Sequence, residues 1–439
     1  MIGLPALHLL LVLSLTDLVD LTTVARRFLE QCREGQFDTA TERFDRRMSE
    51  ALPAAKLAEV WQGLIQKLGP IRTFGPSRTE RVGSYVRIRV RCEFGILPMD
   101  ALVVFDADGR IAGFFVVAAE GPLEVADPPY ADRRKFTEES ITVGAEGWPL
   151  PGTLSRPVQS GDPRVPLVVL VHGSGPHDRD ETIGPNKPFR DLAVGLSSRG
   201  IAVLRYDKRT YAHKTRLAGK AAAAITVEEE VVQDALAALG TGRTLLGIDP
   251  ARVYLLGHSL GGAMAPVIAS RDGKLAGVIL LAASNRPPEV LIRDQLRYLQ
   301  SVKSDEAAEL ARSLEEFEAA FARLDAGAMQ DDEKILGASA RYWRSWRAVE
   351  PAKLVRELEN LPFLVLQGGR DYQVTEADFE AFREALQGRR NSECRFYSDL
   401  NHLFQKGEKK AVPEEYLKAV PVDERVIDDI ATWILAPRR

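Results

Sequence analysis

An apolar run, Val253-Tyr254-Leu255-Leu256, leads directly into Gly257-His258-Ser259-Leu260-Gly261, and the small residues Gly262-Ala263-Met264-Ala265 follow. Few folds accommodate that order. A buried strand must turn at once into a helix, and the serine at the turn takes a strained backbone that lifts its hydroxyl above the sheet. Glycines on both sides let strand and helix approach closely, because no Cβ stands between them. The segment reads as a nucleophile elbow, with Ser259 as the candidate nucleophile.

Short apolar runs at Leu167–Val171, Ile201–Leu204, Val253–Leu256, Val278–Leu281, Phe363–Leu366 and Arg395–Tyr397 alternate with helical stretches such as Val227–Leu239 and Ala377–Leu386; Val422–Leu435 closes the chain. The first, third and fifth runs are nearly continuous in apolar residues, as strands buried on both faces require. The alternation predicts an α/β fold with a doubly wound, mostly parallel sheet over 136–439. Phe136–Val143 and Pro149–Ser155 read as a leading antiparallel pair. Between Leu281 and Phe363, Leu310, Leu314, Phe317, Phe321 and Leu324 recur in steps of four and three, so this long connection is helical and predicts a cap at about 286–358.

The N-terminal part has a different pattern. Leu18, Leu21, Val24, Phe28 and Leu29, then Leu57, Val60, Trp61, Leu64 and Leu68, recur at helical spacing. Val86, Ile88, Val90 and Cys92 then alternate with Arg87, Arg89, Arg91 and Glu93, and Ala101–Phe105 joins Ile111–Val117 through a turn holding Asp108-Gly109. These predict a small α+β domain over 17–120, followed by a linker, 121–135, marked by Gly121-Pro122 and Asp127-Pro128-Pro129. The arginine stripe reads as a solvated sheet face and not as a nucleic-acid surface. No aromatics interleave with it, and 58 Lys+Arg against 62 Asp+Glu leave a net charge of −4.

With 45% hydrophobic and 27% charged residues, neither a disordered chain nor a multi-span membrane protein fits. Within residues 1–16 the apolar run Ile2–Leu15 is too short to span a bilayer, so no stable membrane span is expected. It resembles the hydrophobic stretch of a secretory signal, without a preceding Lys or Arg and with Asp17 and Asp20 after it. The expectation is export, periplasmic or extracellular, ahead of a cytoplasmic location; an ordinary N-terminal helix is the other reading. Cys32, Cys92 and Cys394 are too few and scattered for a zinc cluster or disulfide scaffold, and free thiols are favoured over a Cys32–Cys92 bridge.

A serine hydroxyl needs a base to take its proton. Of the six histidines, His402 alone follows Ser259, in a polar loop beyond the strand Arg395–Tyr397. The base needs an acid to fix its tautomer. Asp371 is the candidate, reached from Phe363–Leu366 through Gln367-Gly368-Gly369-Arg370; Asp378 and Asp399 are alternatives that could be mere solvated carboxylates. Backbone amides must meet the developing oxyanion. Leu260 supplies one, and the loop His172-Gly173-Ser174-Gly175-Pro176 supplies the other, from Ser174. His172 reads as structural, since no partner stands at metal-ligand spacing. Arg205-Tyr206-Asp207-Lys208-Arg209 either lines the substrate entrance or forms a salt-bridged loop. Tyr342, Trp343 and Trp346 either wall a substrate pocket or pack inward.

Together these residues resemble the α/β-hydrolase superfamily. The runs 171–180, 184–189 and Arg205-Tyr206-Asp207-Lys208-Arg209-Thr210 look like a bacterial carboxylesterase branch related to prolyl-oligopeptidase-type and bile-acid-acyltransferase-like hydrolases, whose members often carry a small N-terminal α+β domain. The resemblance implies hydrolysis of short-chain acyl esters with Ser259, Asp371 and His402 as triad, on a small-molecule ester, with no metal or organic cofactor and no nucleic-acid partner. A peptidase or thioesterase with the same triad is the alternative within the class. An inert hydrolase-fold binding protein is the alternative outside it. The oligomeric state is not encoded in any of these signals.

Overall fold

Leu57, Trp61 and Leu68 fall on one face of the helix Ala54–Leu68, at steps of four and seven, and are buried there. This helix belongs to the first of two units, which part between Glu124 and Val125. The computed structural model describes residues 15–95, 98–119, 126–158, 164–217 and 219–437. The export expectation rests on residues 1–14, outside the described residues, and on Leu15, where the first helix, Leu15–Arg33, begins. Residues 121–125 of the expected linker also lie outside them.

In the first unit the helices precede a four-stranded antiparallel meander of β1 (Ile71–Val82), β2 (Tyr85–Phe94), β3 (Pro98–Phe105) and β4 (Ile111–Ala118), in spatial order β1-β2-β3-β4. The sequence reading holds three of these strands; β1 escaped it because it is mostly polar and buries only Ile71. Phe28 packs edge-on against Phe114 at 5.1 Å, and Ile88, Val90, Val103 and Ile111 complete the core. The arginine face of β2 is not a freely solvated one. Arg91 stands opposite Asp100 on β3 and donates to it at 2.6 Å. Arg89 reaches both Asp100 and Glu80. Arg89 and Asp100 are both buried, and the opposite charges on neighbouring strands compensate each other there. Cys32 and Cys92 are buried free thiols, and Cys394 in the second unit is free and half-buried.

The second unit holds β5 (Phe136–Val143), β6 (Leu150–Pro157), β7 (Val165–Val171), β8 (Ala202–Tyr206), β9 (Ile248–His258), β10 (Gly277–Leu281), a small hairpin of β11 (Lys334–Ile335) and β12 (Ala338–Ser339), β13 (Phe363–Gly368) and β14 (Glu393–Tyr397). Eight of these form one sheet in the order β14-β13-β10-β9-β7-β8-β6-β5. It is parallel from β14 to β8 and antiparallel at β6 and β5. Every residue of β7, β10 and β13 is buried, because helices cover both faces. After β7 the chain steps to β8 on one side and returns to β9 on the other. The carboxyl ends of β7 and β9 thus flank the point where strand order reverses, where open α/β sheets leave a crevice.

The cap stands between β10 and β13 as the helices Pro288–Val302, Ala307–Asp325, Ala340–Arg347 and Pro351–Glu357 with the β11–β12 hairpin. Asp378 anchors its entry. One oxygen accepts from the amides of Asn285 and Arg286 at 2.9 and 3.0 Å, and the other pairs with the Arg286 guanidinium at 2.9 Å. Asp378 is therefore a fully buried anchor and not a solvated carboxylate, while Asp399 pairs with Arg425.

Close approach at the elbow demands glycine. A Cβ on Gly261 would lie 2.2 Å from the carbonyl oxygen of Val171 and 2.6 Å from that of His172. Both are backbone atoms in a buried sheet and cannot step aside. Gly261→Ala is therefore expected to destabilise the fold by at least the upper end of the ~1–3 kcal/mol typical of overpacking. Thermal denaturation reads this, and an unchanged midpoint would contradict the packing described.

Candidate active site

Ser259 follows the last residue of β9 with φ of 51°, the left-handed backbone that the motif demanded, and it caps the helix Leu260–Asp272. Its amide donates to Leu281 O at 3.0 Å, fixing the turn against β10. The residue opens on a cavity of about 580 Å³, within the ordinary size of a small-molecule site. Ser174 and Gly175 line it from the loop after β7, Gln373 and Val374 from the loop after β13, and Tyr342, Trp343 and Trp346 from the cap helix Ala340–Arg347. The three aromatics therefore wall the cavity, and Trp343 is also packed edge-on against Phe321 in the cap's own core.

Asp371 and His402 meet although they leave different strands. Gly368 brings their loops together, since a Cβ there would lie 2.5 Å from Leu400 O. Asp371 Oδ1 accepts from the amides of Gln373 and Val374, leaving Oδ2 to accept from His402 Nδ1 at 2.6 Å. A carboxylate only accepts, so Nδ1 carries the proton and Nε2 of the neutral ring is left as a base. Asn401 holds the histidine loop by accepting from the amides of Leu403 and Gln405. Among the described residues no hydrogen bond joins the Ser259 hydroxyl to His402.

The two amides expected to face an oxyanion differ in how they are held. Leu260 is the first residue of its helix, so its N–H has no intrahelical acceptor. In the loop after β7, the Gly173 amide is already engaged by Glu181 Oε1 at 2.6 Å, and the next residue, Ser174, lines the cavity.

Glu181 and His258 are residues that sequence reasoning missed. Glu181 is buried with φ of 52°. Its Oε2 lies 3.0 Å from Nδ1 of His258, an ion-pair distance without an aligned hydrogen bond. His258 Nε2 in turn donates to the carbonyl of His402 at 3.1 Å. Burial works against charge on both. The attraction between them outweighs it, holding the Glu181 carboxyl down to about 2 and raising the His258 imidazole above its ordinary range. This buried pair links the loop after β7, the residue before the candidate nucleophile and the loop of His402. His172 has a structural place: Nε2 donates to Asp178 O at 3.0 Å, and burial pushes its imidazole down to about 3. The run 205–209 is salt-bridged throughout, Arg205 to Asp180, Asp207 to Arg179, Lys208 to Glu230 and Arg209 to Asp234, while Thr210 lines the cavity. Among the described residues no three His, Cys, Asp or Glu side chains are grouped to hold a metal ion, and no helix is long and apolar enough to cross a membrane.

Against known proteins, residues 168–412 match the pattern described as "Alpha/beta hydrolase family", and residues 25–114 match "Protein of unknown function (DUF3887)". The chain is 40% identical over 409 residues to the esterase EstD of Thermotoga maritima, covering 93% of this chain and 94% of that one. Among solved structures, Est1E from Butyrivibrio proteoclasticus aligns with a TM-score of 0.44 and 15% identity over 68% of this chain and 99% of its own. A puromycin hydrolase aligns with a TM-score of 0.43 and 18% identity over 83% of this chain and 47% of its own.

The buried pair has a pH signature with a definite sign. A raised His258 contributes stability that is fully present below its unfolded value, near 6.5, and is lost as pH rises through the folded one. In Glu181→Gln the cause of the raised value is gone. The difference in melting temperature between wild type and Glu181→Gln should therefore shrink from mildly acidic to alkaline pH. A difference that stays constant would mean the imidazole carries no charge.

Proposed function

Because the chain belongs to the alpha/beta hydrolase family and is a hydrolase, we propose that it is a serine carboxylesterase acting on small, short-chain acyl esters. The observation that carries this reading is the 2.6 Å bond between Asp371 and His402, beside the elbow that presents Ser259 to a walled cavity. The 40% identity to an esterase over nearly the whole of both chains supports the ester as the bond cleaved. The moderate cavity volume and its aromatic wall support a small acyl group.

In the proposed mechanism the Ser259 oxygen attacks the ester carbonyl carbon while His402 Nε2 takes its proton. The amides of Leu260 and Ser174 hold the oxyanion. The carbon–oxygen bond to the alcohol then breaks, and the alcohol leaves with the proton from His402, which Asp371 has stabilised as imidazolium. Water repeats the sequence on the acyl-enzyme, and the carboxylic acid departs with Ser259 restored.

A fluorophosphonate should label the wild-type chain at Ser259, located by peptide mapping, and should fail on Ser259→Ala. That variant should lose on the order of 10⁴–10⁶ in turnover. Chromogenic esters of rising chain length, set beside a thioester and a peptide amide, should show hydrolysis falling with acyl length and weakest on the amide. Labelling elsewhere, or a preference for the amide, would overturn the reading.

A further inference from the structure

Lys208 follows β8 and is almost wholly buried, with its ammonium directed at the loop after β7. Its Nζ donates to the carbonyl oxygen of Gly173 at 2.8 Å and lies 3.4 Å from Glu230 Oε2. That carbonyl belongs to the same peptide unit as the amide of Ser174. A trans peptide is planar, so fixing the direction of its C=O fixes the opposite direction of its N–H. The same glycine is also held by Glu181, through its own amide. The peptide is thus gripped before and at its carbonyl, and Ser174, which carries its N–H, lines the cavity.

The grip extends to the cap. Glu230 lies within a five-residue π-helical turn, Glu228–Val232, a wide turn that recurs at functional sites. Its Oε1 accepts from Thr210 Oγ1 at 2.8 Å, and its Oε2 accepts from the hydroxyl of Tyr342 at 2.7 Å. Tyr342 is one of the aromatics lining the cavity, and Ser345 on the same cap helix accepts from the amide of Val227 just before the turn. An unbroken set of contacts therefore runs from the aromatic wall through Glu230 and Lys208 to the peptide beside Ser259.

We propose that Lys208 is a positioning residue whose ammonium orients and polarises the Gly173–Ser174 peptide so that the Ser174 amide meets the oxyanion, and that Glu230 and Tyr342 tie this hold to the wall of the substrate cavity. A cation on the carbonyl draws electron density through the peptide and strengthens the N–H as a donor. The effect appears only when negative charge develops on the substrate oxygen, so it acts on turnover and not on ground-state binding. The proposal rests on the reading of Ser259 as nucleophile and of Ser174 as oxyanion donor.

Removing Lys208 alone strands the Glu230 carboxylate in a buried place, so the test pairs Lys208→Met with Glu230→Gln to keep the site neutral. This double variant should melt close to wild type and lose about 10- to 100-fold in kcat, less than deleting an oxyanion donor outright costs, with KM for a chromogenic acetate ester within about threefold. Its affinity for a boronic acid, which adds the Ser259 oxygen to become tetrahedral, should fall in parallel with kcat. Tyr342→Phe should lower kcat about threefold to tenfold in the wild-type background and have no further effect in the double variant. A well-folded double variant with wild-type kcat would overturn the proposal, as would a loss confined to KM; additive losses with Tyr342→Phe would remove the tie to the cap. Ser259→Ala in the same assay separates the two levels. If it still hydrolyses the ester, the underlying reading fails; if it is inactive while the double variant is not impaired, only the role of Lys208 falls.

Discussion

The structure depends on a backbone contact that side chains would forbid. Gly261 sits against the carbonyl oxygens of Val171 and His172, and Gly257 sits against the carbonyl of Gly261. These approaches set the helix Leu260–Asp272 directly on the end of β7. The serine at their centre keeps a left-handed backbone of the kind that costs about 1–3 kcal/mol. The strain persists because β9 is paired on both sides and the helix buries Leu260, Met264 and Ile268 in the core of the sheet. One consequence is spatial. Ser259 and Gly173 leave neighbouring strands and lie side by side, so that a Cβ on Gly173 would stand only 3.2 Å from that of Ser259.

Around this contact the protein buries polar and charged groups in complementary pairs. Glu181 faces His258, Lys208 faces Glu230, and Asp371 holds His402. A lone ion at any of these places would be costly in the low-dielectric interior, and breaking one pair leaves its partner uncompensated. The pairs therefore do not explain stability by their number. They fix geometry: each joins segments far apart in the chain, and the first two hold main-chain groups of the candidate base and of the peptide that carries the candidate donor. The carbonyl of His402, the amide of Gly173 and the carbonyl of Gly173 are all held in this way.

What could be read beforehand follows from the range over which each signal acts. The central strands of the large sheet were legible because burial on both faces forces apolar runs, and the elbow was legible because a strained serine flanked by glycines between a strand and a helix is a compact pattern in the chain. Asp371 and His402 were placed by chain order and by their loops beyond strand ends, which local sequence carries. Glu181 and Lys208 had no such mark. In the sequence each looks like an ordinary loop charge, and its role arises only when the fold brings Gly173 to it. The arginine stripe of β2 misled for the same reason, since polarity predicts a wet face until the register of β3 sets Asp100 opposite Arg91. The strand Ile71–Val82 is mostly polar and paired on one side only, so neither periodicity nor propensity reveals it.

The cap is a separate layer, yet its position is referenced to the same loop that carries Asp371. The helix Glu376–Ala385 begins a few residues after that aspartate, and Asp378 in its first turn grips Arg286 at the start of the cap. Gln295, on the first cap helix, donates to the carbonyl of Gln373, whose own amide is bound by Asp371. The wall of the cavity is thus indexed to the acid without supplying any group to it. Exchanging a residue that only lines the cavity alters what fits and leaves the Asp371–His402 bond in place. Cap and sheet meet through these buried polar contacts and through shared apolar packing, since Ala352 and Val355 of the last cap helix belong to the same buried cluster as the sheet and Tyr298 and Leu299 of the first pack against Tyr372 and Leu403.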